Sequence, residues 1–423
     1  MISEKFRVLR HTAFRRLVLA RFFGNIASNA QIVAVGWQVY AATQSAWYLG
    51  MIGLAGFLPF VVMSLFSGMI IDRFDRRKIL LIAYVIYSVA ALLLFVNAWL
   101  DASRVWPVFI IMGIIGMVRA FTLPTQQALT PNAVPRSDLA AAISLGASTN
   151  FLAIMIGPAL GGVLYGFGAE IVYLVTACLL ILSIAVLMRL QINAPPLQRQ
   201  TFSLSNFFIG LRFIRHRRSV MGAISLDLFA VLLGGATALL PIYAQSILKV
   251  GPVGLGLLRT APALGSMVMA VWLAWRPLTE GAGAIMLWMV GFFGLATIGF
   301  GLSTSMILSL LALVVLGATD MVSVYVRQTL IQAGTPDEMR GRVGAVSSLF
   351  IGASNELGEF ESGVTASIFG TVPAVVMGGI GTILIAIGWA VAYPELRRVD
   401  LSPKGMDELA EAGQASMNQL KVK

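Results

Sequence analysis

The sequence predicts an all-α integral membrane protein with twelve transmembrane helices in two six-helix repeats. Three observations predict it. The first is composition: 58% of the 423 residues are hydrophobic and only 12% are charged, with a mean hydropathy of +0.86. Soluble domains carry about 25% charged residues, so this balance belongs to a bilayer protein. The second is the length of the apolar runs. A spanning helix needs about 20 apolar residues, and the chain has room for about twelve spans with their loops. The third is the placement of cations. Arg21, Arg119, Arg259 and Arg327 fall at membrane depth, and Arg104 and Lys249 fall in odd-to-even loops. The other Lys and Arg residues crowd the termini and the even-to-odd loops, which puts both termini in the cytoplasm. An even number of spans requires the same. The net charge of +11 is therefore a topological signal and does not mark a nucleic-acid partner.

Apolar runs between polar breaks place the spans at residues 14–42, 47–71, 79–99, 106–131, 138–167, 171–190, 219–247, 254–275, 283–302, 306–333, 342–369 and 373–394. The 42 glycines and 16 prolines are compatible with this, because both are commoner in membrane helices than in soluble ones.

The first span follows Lys5, Arg7, Arg10, Arg15 and Arg16, with no small-residue cleavage site at the proper distance. It is expected to stay as an anchor. It carries Arg21, Asn25 and Ser28 at helical spacing, with Asn29 and Gln31 beside them. A wet cavity suits that stripe; helix–helix hydrogen bonding is the plainer alternative. The second span stops hard at Gly68-Met-Ile-Ile-Asp72-Arg73-Phe-Asp75-Arg76-Arg77-Lys78. The fourth span holds Arg119 and, seven residues on, Gln126. The fifth holds Gly157-Pro158-Ala-Leu-Gly161-Gly162, where proline removes a backbone donor and bends the helix. The sixth holds Cys178, the single cysteine, which excludes an internal disulfide and reads as a packing residue.

Between the sixth and seventh spans lies the longest internal polar interval, Arg189 to Arg218, with Pro195-Pro196, Arg199, Arg212, Arg215 and Arg217. Phe207, Phe208, Leu211 and Ile214 recur there at helical spacing. The segment is either a short interfacial helix or a solvated linker. The expected organisation is an N-terminal bundle at 1–190, a cytoplasmic linker at 191–218, a C-terminal bundle at 219–395 and a cytoplasmic tail at 396–423. The seventh span holds Asp227, and the tenth holds Asp320 with Arg327 seven residues later. The eleventh holds Glu356, Glu359 and Glu361, about 22–30 Å from its cytoplasmic start. Glu356 and Glu359 share a face. These acids are candidates for handling protons or cationic substrate, with a hard metal cation as a further alternative; acids at a wet outer rim, or hydrogen-bonded to small residues of the second span, are the plainer reading. No metal site is assigned. The tail places Met406, Leu409, Gly413, Met417 and Leu420 at helix-like spacing, as in a frayed or surface helix. His11 and His216 sit in basic flanks, and Asp101 and Glu170 in outer loops; all read as solvated. No nucleotide-binding loop or catalytic constellation is present, so no cofactor and no enzymatic activity are expected.

The two halves match at a constant offset. Gly116, Arg119, Gln127, Pro135, Gly157 and Gly162 correspond to Gly317, Asp320, Gln328, Pro336, Gly358 and Gly363. Tyr40 and Pro59 correspond to Tyr243 and Pro262 at a second, slightly longer offset that the two pairs share. Parallel six-span repeats are a transporter design with the substrate site between the halves.

These motifs resemble the major facilitator superfamily. Gly68, Asp72, Arg73, Arg76 and Arg77 match its signature for the loop between the second and third spans. Asp75 departs from it by standing where the family usually has glycine; this variant is similar to the enterobactin-exporter-like branch. Gly157, Pro158, Gly161 and Gly162 resemble the fifth-span signature of proton-coupled antiporters. The resemblance implies that Asp72 docks near the start of the eleventh span as a conformational latch. It implies that the following cations tie the second and third spans to their neighbours. The loop after the eighth span has only Arg276-Pro277, so the matching latch is expected to be missing. The plainer alternative is a stop-transfer block of cations.

The resemblance also implies that the first, fourth, seventh and tenth spans line a central cavity. Arg21 and Asp227 lie about 10–12 Å into their helices, and Arg119 and Asp320 about 9 Å from the inner end. Each such charge costs about 2.5–3.5 kcal/mol. The four are therefore expected to pair across the halves as a cavity charge layer, with Asn25, Asn29, Gln126 and Arg327 as polar lining. Static pairs that only orient helices are the alternative. The function expected is secondary active export of a small organic molecule, siderophore-like or drug-like, across a bacterial inner membrane by alternating access, with protons in exchange. Uncoupled transport or uptake of a solute or lipid, and a non-transporting receptor or assembly subunit, stay open as alternatives.

Overall fold

The computed structural model describes residues 7–100, 104–191 and 204–422. Lys5, Asp101, Pro195, Pro196 and Arg199 lie outside the described residues, as do the side chains of Asp72, Phe207 and Leu420. The described residues form helices joined by short connections, with no strand among them.

The first six spans are α1 (Thr12–Thr43), α2 (Ala46–Arg73), α3 (Arg76–Trp99), α4 (Trp106–Leu129), α5 (Leu139–Tyr165) and α6 (Ala169–Met188). A short amphipathic helix, α7 (Leu204–His216), follows. The later spans are α8 (Arg218–Leu233), α9 (Gly251–Trp275), α10 (Ala282–Leu302), α11 (Met306–Ala333), α12 (Asp337–Phe369) and α13 (Thr371–Ala392). The tail forms α14 (Pro403–Val422). Among the described residues, 11 helices are long and apolar enough to cross a membrane. The twelfth expected span, α12, has 33 residues, about 50 Å of helix, and carries the acids that make it more polar. Large apolar side chains face outward, Val391 at 76% exposure and Ile387 at 59%, as a lipid environment allows. Cys178 is exposed on α6, so the packing role expected for it is corrected.

Two compact units divide the chain: Met1–Phe202 with Leu240–Thr260, and Ser203–Leu239 with Ala261–Lys423. In the first, α1 packs on α5 and α6, α2 on α4, and α3 on α4 and α6. In the second, α8 packs on α12 and α13, and α10 on α11 and α13. Ser266 of α9 donates to the Gly317 carbonyl of α11 at 2.9 Å. The helix pairings thus recur in order. The matched glycines explain how: a Cβ on Gly116 would strike the Gly56 carbonyl, and one on Gly317 the Pro262 carbonyl. Likewise Gly157 lies on Ile26 and Asn29 of α1, and Gly358 on Val231 and Leu232 of α8. Lipid supplies no hydrophobic force between helices, so close backbone contact carries their association.

Two expectations change. The seventh span is not one continuous helix over 219–247. It stops at Leu233, and Gly234-Gly235 leads into a 3-10 turn (Ala236–Leu239), a helical turn (Leu240–Ile242) and a π turn (Tyr243–Ile247). Tandem glycine and Pro241 weaken the helix here. Ser362 Oγ donates to the Gly235 carbonyl at 3.1 Å, and Thr382 Oγ1 to the Ala230 carbonyl at 3.1 Å. Broken backbone at membrane depth needs such partners. The second change concerns the expected 219–395 bundle. Leu240–Thr260 belongs to the first unit, where Gly256 meets Gly162, Thr260 Oγ1 donates to the Met155 carbonyl at 3.1 Å and Tyr40 bonds Ser246 at 2.9 Å.

The polar flanks are packed rather than loose. α7 rests on α12 and buries Phe213 and Ile214. α14 packs on the end of α11, with Met417 buried at 4% exposure and Gly413 on the Gly334 carbonyl. Arg217 is 9% exposed and donates through Nη2 to the Leu409 carbonyl at 3.4 Å. Burial pushes its guanidinium below the usual arginine range. His11 is not simply solvated: Nε2 lies 2.8 Å from Asp138 Oδ2, joining the start of α1 to the start of α5.

Candidate functional site

The loop signature becomes a helix-to-helix joint. α2 ends at Arg73, Phe74 is extended, and Asp75 caps α3. Its carboxylate accepts from the Arg77 backbone N–H at 2.9 Å. Asp75 sits at φ −59°, where glycine has no advantage and aspartate is a preferred cap. That accounts for the departure from the family pattern. The cations bind helix ends. Arg76 Nη1 donates to the Ala128 carbonyl of α4 at 3.2 Å. Arg77 Nε donates to Leu187 of α6 at 3.2 Å, and its Nη2 to Met188. The last carbonyls of a helix lack internal partners and attract cations. Arg73 is exposed and Gly68 half-buried.

In the first unit, α1, α3, α4 and α5 line an open pocket of about 350 Å³. Asn25, Asn29 and Gln31 line it from α1, Tyr84 and Tyr87 from α3, Arg119 and Gln126 from α4, and Asn150 from α5. Asn25 Nδ2 donates to Asn150 Oδ1 at 2.7 Å. Gln126 Nε2 donates to the Tyr84 hydroxyl at 3.1 Å. The Arg119 guanidinium lies over the Phe60 ring, 4.9 Å from its centroid, a cation–π contact. Arg21 is half-buried, with Nη1 3.5 Å from Thr130 Oγ1.

In the second unit, Asp227 of α8 and Arg327 of α11 form an ion pair whose side chains are 7% and 3% exposed. This corrects two expectations. Asp227 finds its counter-charge in its own unit rather than across the halves, and Arg327 is a buried partner rather than cavity lining. In a dry bundle a charge pairs with the nearest opposite charge. Asp320 stands two turns before Arg327 on α11. It lines, with Asp227, Thr319 and Ser323, a void of about 10 Å³, room for about one water. On α12, Glu361 accepts from Thr365 Oγ1 at 2.7 Å; Glu356 and Glu359 are half-buried. Gly161 abuts Ala30, and Pro158 is buried within a continuous α5.

Tyr84, Tyr87 and Asn150 were not legible as cavity residues, because they stand on α3 and α5, outside the first, fourth, seventh and tenth spans expected to line it. Gln31 was visible beside the α1 stripe but was given no role.

Matched six-helix repeats, buried intramembrane charges and a polar cavity define a multi-pass membrane transporter of the major facilitator fold. The chain belongs to the transmembrane secretion effector family, whose model matches residues 3–415. It is similar to the enterobactin exporter EntS of Escherichia coli (strain SMS-3-5 / SECEC), with 26% identity over 400 residues, covering 94% of this chain and 95% of that one. EntS of Citrobacter koseri (strain ATCC BAA-895 / CDC 4225-83 / SGSC4696) is 27% identical over 398 residues, covering 93% and 94%. The fold resembles the crystal structure of a point mutant of the nucleoside transporter NupG, with a TM-score of 0.74 at 11% identity, covering 90% of this chain and 100% of that one. It also resembles a bacterial homologue of the human lysosomal transporter Spinster, with a TM-score of 0.68 at 14% identity, covering 96% and 98%. The protein is thus a membrane efflux transporter and not an enzyme.

Proposed function

We propose that this transporter exports a small organic molecule, siderophore-like or drug-like, from a bacterial cytoplasm in exchange for protons, by alternating access. It would lie in the inner membrane with both termini cytoplasmic, the side where its loop cations gather. The observation that carries the coupling is the arrangement of acids in the second unit. Asp227 already has a counter-cation in Arg327. Asp320 shares the same small void and has no ion-pair partner among the described residues. Ionisable groups within spans mark proton relays, and of these two the unpaired one is free to exchange. Asp320 is therefore assigned the exchanged proton. Asp227 with Arg327 is assigned the fixed charge beside it. Asp72, Arg73, Arg76 and Arg77 act as latch, and Gly157 to Gly162 shape α5. The similarity to enterobactin exporters makes enterobactin the first substrate to assay.

The test is reconstitution in vesicles with a pH-sensitive dye inside and an imposed proton gradient, offering enterobactin and ethidium in parallel. Proton-driven flux of one of them in the wild type, retained only as downhill flux in Asp320→Asn, is the expected result. Full gradient-driven transport by Asp320→Asn overturns the assignment of the proton. Absence of flux for a wider solute panel overturns transport itself.

A further inference from the structure

The outer face of the second unit carries a groove that the transport reading does not use. α10 and α13 pack against each other, with Gly294 set so close that a Cβ would strike the Gly379 carbonyl. Along this seam lies an open groove of about 510 Å³. Gly291, Ala386 and Ala390 line it with little or no side chain. Trp288, Ile387 and Val391 line it too, and all three are exposed. The small residues leave a trough between the large ones. Arg397 is the one charged residue in the lining among the described residues. Its place is fixed by the backbone around it. Leu396 and Val399 are buried, and the Gly283 N–H donates to the Val399 carbonyl at 3.1 Å. Its neighbours are thus pinned against the start of α10, and Arg397 itself is exposed. Glu395, the nearest acid along the chain, is committed to Arg218 at 3.1 Å. The Arg397 guanidinium has no ion pair or hydrogen bond among the described residues.

Length says what could fill the groove. It runs from Ala284 to Leu295 on α10, about 16 Å of helix. One leaflet holds about 15 Å of hydrocarbon, half of a core about 30 Å thick. A groove that starts at the end of a span therefore reaches the bilayer midplane, with its cation left at headgroup level. Trp288 stands about 9 Å from the start of α10, and tryptophan favours the zone near the headgroups.

We propose that this groove is a binding site for one anionic phospholipid of the leaflet nearest the C-terminal tail, an acyl chain lying between α10 and α13 and the headgroup phosphate on Arg397. A zwitterionic lipid fits the same trough but brings a cation to a wall with no acid in it. A second copy of the chain fits less well. Packed here about an axis along the membrane normal, it would bring the two Arg397 side chains to the same depth, like charge against like charge. The site does not depend on the export reading, because it lies on the lipid face and takes no part in the cargo path.

The probe is phosphatidylglycerol with a photoreactive diazirine in mid-chain, added to the purified full-length chain in mixed micelles, with the labelled peptides mapped by mass spectrometry. Dioleoyl phosphatidylglycerol, dioleoyl phosphatidylcholine and glycerol 3-phosphate are the competitors. Saturable labelling of α10 and α13 is expected, displaced by phosphatidylglycerol at about 5-fold lower concentration than by phosphatidylcholine, the value of one cation near an anionic lipid. Glycerol 3-phosphate, which has no chain to seat, should not displace it. Arg397→Gln should make the two lipids compete equally, with melting in phosphatidylcholine unchanged. Arg398→Gln, an exposed cation outside the lining, should keep the wild-type preference. Gly291→Leu fills the trough and should lower labelling by either lipid. The proposal is overturned by wild-type preference in Arg397→Gln, by equal loss of it in Arg398→Gln, or by labelling spread evenly over the lipid-facing helices. Displacement by glycerol 3-phosphate alone would make the site one for a free phosphate. Labelling that falls as a cross-linked dimer rises with protein concentration would give the groove to a second copy. Either result overturns the lipid.

Discussion

The pair of Asp227 and Arg327 allows a stability effect to be worked out in advance. Replacing Asp227 with Asn keeps the shape and removes the charge. Arg327 is then a buried guanidinium, 3% exposed, without its counter-ion and with Nε already unpaired among the described residues. Breaking a buried pair at one partner costs about 3–5 kcal/mol. A unit of this size shifts its melting temperature by about 2–4 °C per kcal/mol. Asp227→Asn should therefore lower the melting temperature by about 6–20 °C. The assay is intrinsic-fluorescence melting of purified protein in one detergent, beside Asp320→Asn as the unpaired comparison. The double variant Asp227→Leu with Arg327→Met removes both charges together and should recover most of the loss, because well-packed apolar replacements of buried pairs are often neutral or better. A fall below about 2 °C for Asp227→Asn, or a double variant as unstable as both single changes combined, would refute the reasoning.

Other consequences follow from the same physics. Gly116→Ala and Gly317→Ala place a Cβ on a facing carbonyl and should each destabilise by about 1–3 kcal/mol, whereas Gly291→Ala, with nothing within 4 Å, should melt like wild type. Arg77→Ala removes the bonds to Leu187 and Met188 and should cost about 1.5–3 kcal/mol; Arg73→Ala, at an exposed position, should stay within about 0.5 kcal/mol, and equal melting of the two would contradict the joint. Substituting Met417→Asp should release α14 from its seat, seen as early cleavage of the tail in limited proteolysis. Protection equal to wild type would mean that α14 is not held by that contact. Asp75→Ala removes the α3 cap and should cost about 1 kcal/mol, read by the same melting assay.

The sequence by itself determined the elements and their repeat. Length and apolarity of the runs set the spans, because a bilayer accepts few other structures. The constant offset between Gly116 and Gly317, and between Gly157 and Gly358, announced equivalent helix contacts before any coordinates. Close backbone approach tolerates little but glycine, so that signal survives in a single chain. The polar stripe from Asn25 to Gln31 and the charges at Arg119, Asp227 and Asp320 were likewise legible, since polar residues in a span are expensive and stand out. Only the tertiary structure decided who meets whom. Asp227 takes Arg327 because α8 and α11 lie together within one unit, a choice that depth along a helix cannot express. The break at Gly234-Gly235 depends on Ser362 and Thr382 reaching in from α12 and α13. Asp75 reads as a departure in one dimension and as a helix cap in three. Gln31 reads in one dimension as one more polar residue of the stripe, and only the packing around it shows its Nε2 buried with no hydrogen-bond partner among the described residues, because an unsatisfied donor is a property of surroundings and not of residue type.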